Sequence, residues 1–131
     1  MDFRRKAGAR SERRDFGQAI ERRTARYLSR QGLRHIQSNF SCRFGEIDLV
    51  MIDSSEFLVF VEVRYRSAGH FGSPLDTITA SKQRKLKRTA AFYLLSHKRM
   101  QDKHCRFDVV AVTPAANSPD YDFDWIKNAF M

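Results

Sequence analysis

The sequence predicts an α/β domain in which a single mixed β-sheet carries one helix on each face. Apolar residues recur at helical spacing in two segments, and five shorter segments are rich in the β-branched and aromatic residues typical of strands. The predicted order of these segments is αβββαββ, which packs a helix against each side of one sheet. The 131 residues are enough for one domain and too few for two ordinary ones.

A basic segment precedes the first predicted helix. Residues 1–14 contain six Lys or Arg and two acids with almost no apolar periodicity, so we expect a flexible basic arm there and one domain over residues 15–131. Asp15 is a suitable N-cap for the helix, and Gly32 is a suitable stop signal. The apolar stripe consists of Phe16, Ile20, Thr24, Tyr27 and Leu28.

Three strands are expected before the second helix and two after it. The five are His35–Ser41, Glu46–Ile52, Phe57–Tyr65, Cys105–Thr113 and Tyr121–Lys127. The third is apolar on both faces, which predicts a central strand. The second helix is expected to be capped by Thr79 and to run to about His97. Before it, Gly69 and Gly72 predict a turn in the loop Ser67–Pro74.

The charge of the chain favours a nucleic-acid partner. Lys and Arg number 24 against 15 Asp and Glu, a formal net charge of +9, and such an excess is the electrostatic footprint of nucleic-acid binders. The longest apolar run is far below the roughly 20 residues that a membrane span requires, so no membrane partner is expected. Two cysteines cannot form a disulfide framework, which indicates a reducing compartment and a cytoplasmic location.

Acidic residues lie on otherwise apolar faces of the second and third strands. Residues two apart share a face, so Asp48 accompanies Val50, and Glu62 accompanies Phe60. An odd-length hairpin loop around Ser54–Glu56 places Asp48 opposite Glu62, whereas an even-length loop places them on opposite faces. The odd loop usually needs glycine at its left-handed position, and this sequence has none there.

Two carboxylates that face each other repel by roughly 3 kcal/mol at an effective dielectric constant near 20. A nearby positive charge is needed to offset this repulsion. A divalent cation supplies it, since Mg²⁺ binds one or two carboxylates together with phosphate oxygens. Arg64 beside the pair, and Glu21 from the first helix next to Gly17, would complete a compact acidic and basic site. The alternative is a surface hairpin with a cross-strand pair between Glu and Arg.

The segments around these acids resemble the YraN family of bacterial proteins, from about Phe16 to the C-terminus. The matching segments are Gly45–Val50, Val59–Arg64, Phe71–Leu75, Lys82–Gln83 and Arg106–Val110. That family is predicted to have the nuclease fold of the PD-(D/E)XK superfamily, similar to archaeal Holliday-junction resolvases. The resemblance implies a restriction-endonuclease-like sheet in which Glu21, Asp48 and Glu62 are catalytic, metal-binding acids.

The resemblance also implies a reaction. The chain is expected to be a Mg²⁺- or Mn²⁺-dependent endonuclease that hydrolyses DNA phosphodiester bonds, with DNA favoured over RNA and branched DNA among the candidate substrates. The alternative is a nuclease-fold module that binds nucleic acid, or a DNA-processing partner, without cutting. The similar resolvases act as dimers, so a homodimer is an expectation that rests on the resemblance alone.

One catalytic position departs from the superfamily pattern. Arg64 stands where these nucleases usually carry Lys. Arginine keeps its proton at any biological pH, so it cannot act as a base, but it can clamp phosphoryl oxygens with two parallel hydrogen bonds. Lys82 is the alternative source of an ammonium group. Contacts to nucleic acid are expected from Arg66, Lys82, Gln83, Arg84, Lys85 and Arg88.

Overall fold

The helices and strands follow one another in the predicted order αβββαββ. The structure, a computed structural model, describes residues 3–67 and 72–131, and for residues 3–7 it describes the backbone only. The elements are α1 (Phe3–Arg30), β1 (Arg34–Cys42), β2 (Gly45–Ile52), β3 (Leu58–Tyr65), α2 (Ala80–Ser96), β4 (Cys105–Pro114) and β5 (Tyr121–Phe130). The turn predicted around Gly69 lies outside the described residues.

Helix α1 begins at Phe3, so the boundary predicted near Asp15 is wrong. Residues 3–14 lack an apolar stripe, and for that reason the sequence predicts an arm there. Ala, Arg, Lys and Glu are, however, strong helix formers without such a stripe. The side chains of residues 8–15 are exposed, so this part of α1 is helical without being packed on the sheet, whereas the Phe16 ring contacts Tyr65 of β3 edge-on with centroids 4.9 Å apart.

The C-terminal end of α1 is capped at Gly32, as predicted. Gly32 adopts a left-handed φ of +102°. The Gly32 N–H donates to the Ser29 carbonyl at 3.1 Å, and the Leu33 N–H donates to the Leu28 carbonyl at 3.0 Å. These two bonds are the Schellman pattern, which satisfies the last carbonyls of the helix. Leu28 and Leu33 are both buried, so the cap also fixes where the chain leaves α1 for β1.

The sheet is five-stranded and mixed, with strand order β1-β2-β3-β4-β5. All neighbouring pairs are antiparallel except β3 and β4, which are parallel and connected through α2. Strand β3 is the middle strand, as its apolar faces predicted. Among the described residues, no helix combines the length and the apolar character needed to cross a membrane.

Each face of the sheet packs against one helix, which confirms the predicted layers. Val50, Ile52, Leu58 and Phe60 lie in a core cluster with Tyr93 of α2. The alternate strand residues, among them Leu49, Met51, Val59 and Val61, pack with Ile20 and Leu28 of α1. The active-site candidates on β2 and β3 are therefore positioned by two independent cores.

The β2–β3 hairpin has the odd register. Val50 pairs with Phe60 and Ile52 pairs with Leu58, as the apolar pattern predicted. Glu56 takes the left-handed position, with φ of +67°, in place of the glycine that such loops usually carry. Asp53 offsets part of that strain, because its Oδ1 accepts hydrogen bonds from the N–H groups of Ser55 and Phe57, each at 2.9 Å.

Strand β5 is fastened to β4 by a buried carboxylate. Asp108 is fully buried, and its two oxygens accept hydrogen bonds from the Trp125 Nε1 and from the Asn128 N–H, both at 2.9 Å. Arg106 Nε donates to the same carboxylate at 3.0 Å. A buried charge with three donors is well compensated. The edge strand is thereby held in a fixed position against the sheet.

Candidate active site

The side-chain alternation of β2 breaks at Asp48. Ile47 packs into the α2-side core and Leu49 into the α1-side core. The β2–β3 ladder reaches the pair of Leu49 and Val61, and just beyond it Asp48 Oδ2 accepts a hydrogen bond from the Val63 N–H at 2.8 Å. The carboxylate therefore lies at the point where β2 and β3 leave their regular pairing.

A second irregularity lies on β1, opposite the first. The β1–β2 pairs Phe40 with Ile47 and Ser38 with Leu49 place Asn39 across from Asp48. Asn39 has a left-handed φ of +56°, a conformation that Asn adopts more readily than most residues. Its side chain approaches Glu21 of α1 and favours the charged form of that carboxyl. Asn39 was not among the residues predicted from the sequence.

Glu62 lies between two cations near the end of β3. Its side chain is only 8% exposed. Glu62 Oε1 lies 3.4 Å from Arg64 Nε and 3.8 Å from Lys82 Nζ. The Thr79 side chain accepts a hydrogen bond from the Lys82 N–H at 3.1 Å. The predicted N-cap of α2 therefore also holds the backbone of Lys82 in place. The alternative of a surface hairpin is wrong, because Glu62 is buried.

Burial and mutual repulsion raise the pKa values of the three acids. Burial is the largest cause in each case, and it raises the pKa of Glu21 to about 7, that of Asp48 to about 6 and that of Glu62 to about 7. The charge of Asp48 is the next cause for both Glu21 and Glu62. The Val63 N–H favours the charged form of Asp48. One carboxylate therefore couples electrostatically to acids from α1 and from β3.

Two cations and a further acid also change the pKa values of these carboxyls. The positive charges of Lys82 and Arg64 each lower the pKa values of Asp48 and Glu62. The negative charge of Glu46, an exposed residue of β2, raises the pKa values of Asp48 and Glu21. Glu46 shares a cavity of about 400 Å³ with Glu21, Gly17 and Asn39. The alternation pattern had placed Glu46 on the same face as Asp48, but we did not predict it as a site residue.

The donor chemistry of this cluster suits a hard divalent cation. All three predicted ligands are carboxylates, the group that Mg²⁺ and Mn²⁺ prefer. Glu21 Oε2 is buried and has no hydrogen-bond partner among the described residues, and a cation would favour the charged form of every acid here. However, no three His, Cys, Asp or Glu side chains in the described ranges are gathered closely enough to hold a metal ion by themselves.

The predicted nucleic-acid contacts divide into two groups. Arg84, Lys85 and Arg88 are exposed along α2. The others already have partners within the chain. Arg66 donates to the carbonyls of Gly72 and Ser73 at 2.9 and 3.1 Å, and Gln83 Nε2 donates to the Ile78 carbonyl at 3.3 Å. These bonds fasten the loop before α2, and nucleic-acid contact by either residue stays a prediction.

Fold and site together define a small α/β protein with an acidic and basic centre where its two central antiparallel strands separate. Residues 20–112 match the model of the family described as "Uncharacterised protein family UPF0102". The chain belongs to this family, the YraN family, as the sequence segments had indicated. The matched range includes Glu21, Asp48, Glu62, Arg64 and Lys82.

Relatives from several bacteria are similar over most of the chain, and each is named only as a UPF0102 protein. The protein of Stutzerimonas stutzeri is 43% identical over 120 residues, which cover 92% of this chain and 98% of the relative. That of Nitrosococcus oceani is 45% identical over 117 residues, covering 89% and 92%. That of Psychromonas ingrahamii is 47% identical over 116 residues, covering 88% of each.

Proposed function

We propose that this protein is a divalent-metal-dependent endonuclease that hydrolyses DNA phosphodiester bonds, with branched DNA among its substrates. The observation that carries the proposal is the environment of Glu62. This buried carboxyl is repelled by the charge of Asp48 and lies within 3.8 Å of two cationic groups. A structural ion pair needs one cation and no second acid. A site for a metal ion and a phosphodiester needs a second acid to bind the metal ion and a second cation to bind the phosphate.

Two carboxylates would hold the metal in this proposal. Asp48 and Glu62 are assigned as its side-chain ligands, because Mg²⁺ commonly takes one or two carboxylates and completes its shell with water and substrate phosphate oxygens. Glu21 is an outer acid that contributes negative charge to the same place. When bound, the ion would neutralise the phosphate and lower the pKa of an attacking water.

Arg64 and Lys82 have different roles in the proposed reaction. The planar Arg64 guanidinium can clamp two phosphoryl oxygens as charge develops on them. The Lys82 ammonium is a compact charge 3.8 Å from Glu62, and it would neutralise a single phosphate oxygen beside the metal ligands. Substrate would displace both cations from Glu62, which then becomes free to bind the metal ion.

The proposal is tested by cleavage of single-stranded, duplex and four-way DNA in the presence of Mn²⁺. Wild-type protein is expected to cut at least one of these, and Asp48→Asn is expected to abolish the cut while leaving the fold intact. Asp102→Asn is the matched control, because Asp102 is exposed and lies after α2, outside the site. Equal activity of the Asp48 and Asp102 variants would rule out the assigned site.

A second candidate function is a nuclease-fold module that binds nucleic acid without cutting it. Arg64 at the usual lysine position favours this candidate, as does the lack of three gathered metal-binding side chains among the described residues. In the same assay it predicts that wild type and Asp48→Asn bind the DNA panel equally and that neither cuts.

A further inference from the structure

A groove runs between α1 and β5, and none of Glu21, Asp48 and Glu62 lines it. A cavity of about 430 Å³ lies between the C-terminal half of α1 and the start of β5. Arg23, Arg26 and Arg30 line its helical side, and Tyr121 and Phe123 line its strand side. A neighbouring cavity of about 260 Å³ shares Arg23, Arg26 and Tyr121 and continues along α1. We call the two together the α1–β5 groove.

The helical wall of the groove is a row of guanidinium groups. Arg23, Arg26 and Arg30 recur three and four residues apart, so they lie on one side of α1 with axial spacings of about 4.5 and 6 Å. Asp120, the acid of this lining, is 3.3 Å from Arg23. Within the described part of the chain, Arg26 and Arg30 have no ion pair. Two guanidinium groups are therefore available to an anionic ligand.

Aromatic rings form the rest of the lining. Tyr27 is stacked on Phe123, with ring centroids 4.6 Å apart and planes 7° from parallel. The Arg23 guanidinium lies over the Tyr121 ring, 5.2 Å from its centroid. Tyr121 is half-buried, so part of its ring faces the groove. Flat aromatic and guanidinium surfaces of this kind stack with nucleobases.

We propose that the α1–β5 groove binds unpaired nucleotides of a DNA strand. Phosphates contact Arg26 and Arg30, and a base stacks beside Tyr121 and Arg23. Unpaired DNA offers both phosphates and free base faces, whereas a duplex keeps its bases stacked inside and an acidic peptide has no such faces. The inference rests on the proposed function for the nature of the ligand, and it narrows the substrate to DNA with a single-stranded part.

The test is binding of a labelled oligothymidylate in EDTA, where cleavage does not occur. Tyr121→Ala is expected to weaken binding about tenfold, the loss typical of one base–aromatic stack, and Tyr121→Phe is expected to retain it. The double variant Arg26→Ala, Arg30→Ala is expected to weaken oligothymidylate binding more than duplex binding. Lys98→Ala with Arg99→Ala is the charge-matched control, because both residues are exposed beyond the C-terminal end of α2.

A fluorescence measurement reports on the same groove. Trp125 is the single tryptophan of the chain, and its ring packs edge-on to Tyr27 with centroids 6.4 Å apart. Binding of oligothymidylate is expected to quench its emission in wild type and less in Tyr121→Ala. Two results would overturn the inference. One is an equal loss of oligothymidylate affinity in the Arg26→Ala, Arg30→Ala variant and in the Lys98→Ala, Arg99→Ala control. The other is that polyglutamate displaces the labelled oligothymidylate as well as unlabelled oligothymidylate does.

The groove and the proposed nuclease can fail separately. If the protein binds oligothymidylate through Tyr121 and Arg26 but cuts no DNA, the endonuclease proposal is wrong and the groove assignment stands. If duplex DNA is cut in an Asp48-dependent way while the groove variants bind oligothymidylate as wild type does, the groove assignment is wrong and the endonuclease proposal stands.

Discussion

Asp48 has more electrostatic connections than any other single residue that we assign to the site. It repels Glu21 and Glu62, accepts a hydrogen bond from the Val63 N–H, and is favoured in its charged form by Arg64 and Lys82. A change at Asp48 therefore alters the protonation of acids that come from two other elements. This makes it the most informative single residue to replace in the site.

Glu62→Gln is expected to stabilise the protein at pH 8 and to abolish the proposed Mn²⁺-dependent cleavage. Burial raises the folded-state pKa of Glu62 from its ordinary value of 4.5 to about 7. The folded state therefore holds an extra proton between these values, and stability falls as pH rises through them. Glutamine has no such charge to bury, and the gain at pH 8 is expected to be about 1–3 kcal/mol. Urea unfolding at pH 4 and pH 8 measures it.

The comparison at two pH values separates this effect from a packing effect. At pH 4 the Glu62 carboxyl is mostly protonated in both states, because this pH lies below both 4.5 and the folded-state pKa of about 7, so the variant is expected to differ little from wild type there. Glu12→Gln is the control, because Glu12 is an exposed residue of α1. A loss of stability of the same size at both pH values would contradict the assigned cause.

Arg64→Lys is expected to raise Mn²⁺-dependent cleavage if lysine at this position is what limits turnover. The charge is preserved, so the salt dependence of DNA binding should change little. The measurement is a single-turnover cleavage rate with binding saturated. An unaltered rate would mean that Arg64 does not contact the transition state, and it would leave Lys82 as the cation to replace next.

At the scale of the elements, local sequence patterns predicted most of the fold. The N-cap at Thr79, the stop at Gly32 and the odd register of the β2–β3 hairpin depend on neighbouring residues or on strict alternation, and all were predictable. The start of α1 was not predictable, because residues 3–14 are helical without an apolar face. Strand β5 extends to Phe130, beyond the predicted Lys127.

The candidate site was predictable only in part, for a physical reason. Asp48 and Glu62 stand out because they interrupt apolar strand faces. Asn39 reaches the site through a left-handed backbone conformation in the middle of a strand, which no periodicity indicates. The approach of Lys82 to Glu62 depends on how α2 crosses the sheet between β3 and β4, a contact between distant parts of the chain.

Two glycines give a prediction about α1. Gly17 lies inside the helix, and a Cβ added there meets no atom within 4 Å, so Gly17→Ala is expected to stabilise the protein by about 0.5–1 kcal/mol. Gly32→Ala is expected to destabilise it by at least about 1 kcal/mol, because φ of +102° is unfavourable for alanine. Thermal unfolding of the two variants should give shifts of opposite sign. A shift of the same sign would contradict the assigned end of α1.

At the scale of the whole molecule, the positive charge is distributed over separate surfaces. Exposed Arg84, Lys85 and Arg88 follow α2, while Arg26 and Arg30 face the groove on the other helix. The two helices pack on opposite faces of the sheet, and the candidate site takes Glu21 from α1 and Lys82 from α2.

Neutralising part of the α2 surface is expected to change the salt dependence of DNA binding. Each lost phosphate contact removes about 0.9 from the slope of log affinity against log salt for duplex DNA. Lys85→Ala with Arg88→Ala should therefore flatten the slope by up to about two and leave sequence preference unchanged, since phosphate contacts do not read bases. Titrations at several salt concentrations measure both. An unchanged slope would mean that α2 does not contact the DNA backbone.

The most direct test of the account is to locate a bound Mn²⁺ ion by its paramagnetic broadening of backbone amide signals. The account predicts selective broadening around Val63, Glu62 and Asp48, weaker broadening near Glu21 and Lys82, and loss of the effect in Asp48→Asn. Broadening that centres instead on exposed acids such as Asp122 and Asp124 of β5, or that persists unchanged in Asp48→Asn, would contradict it.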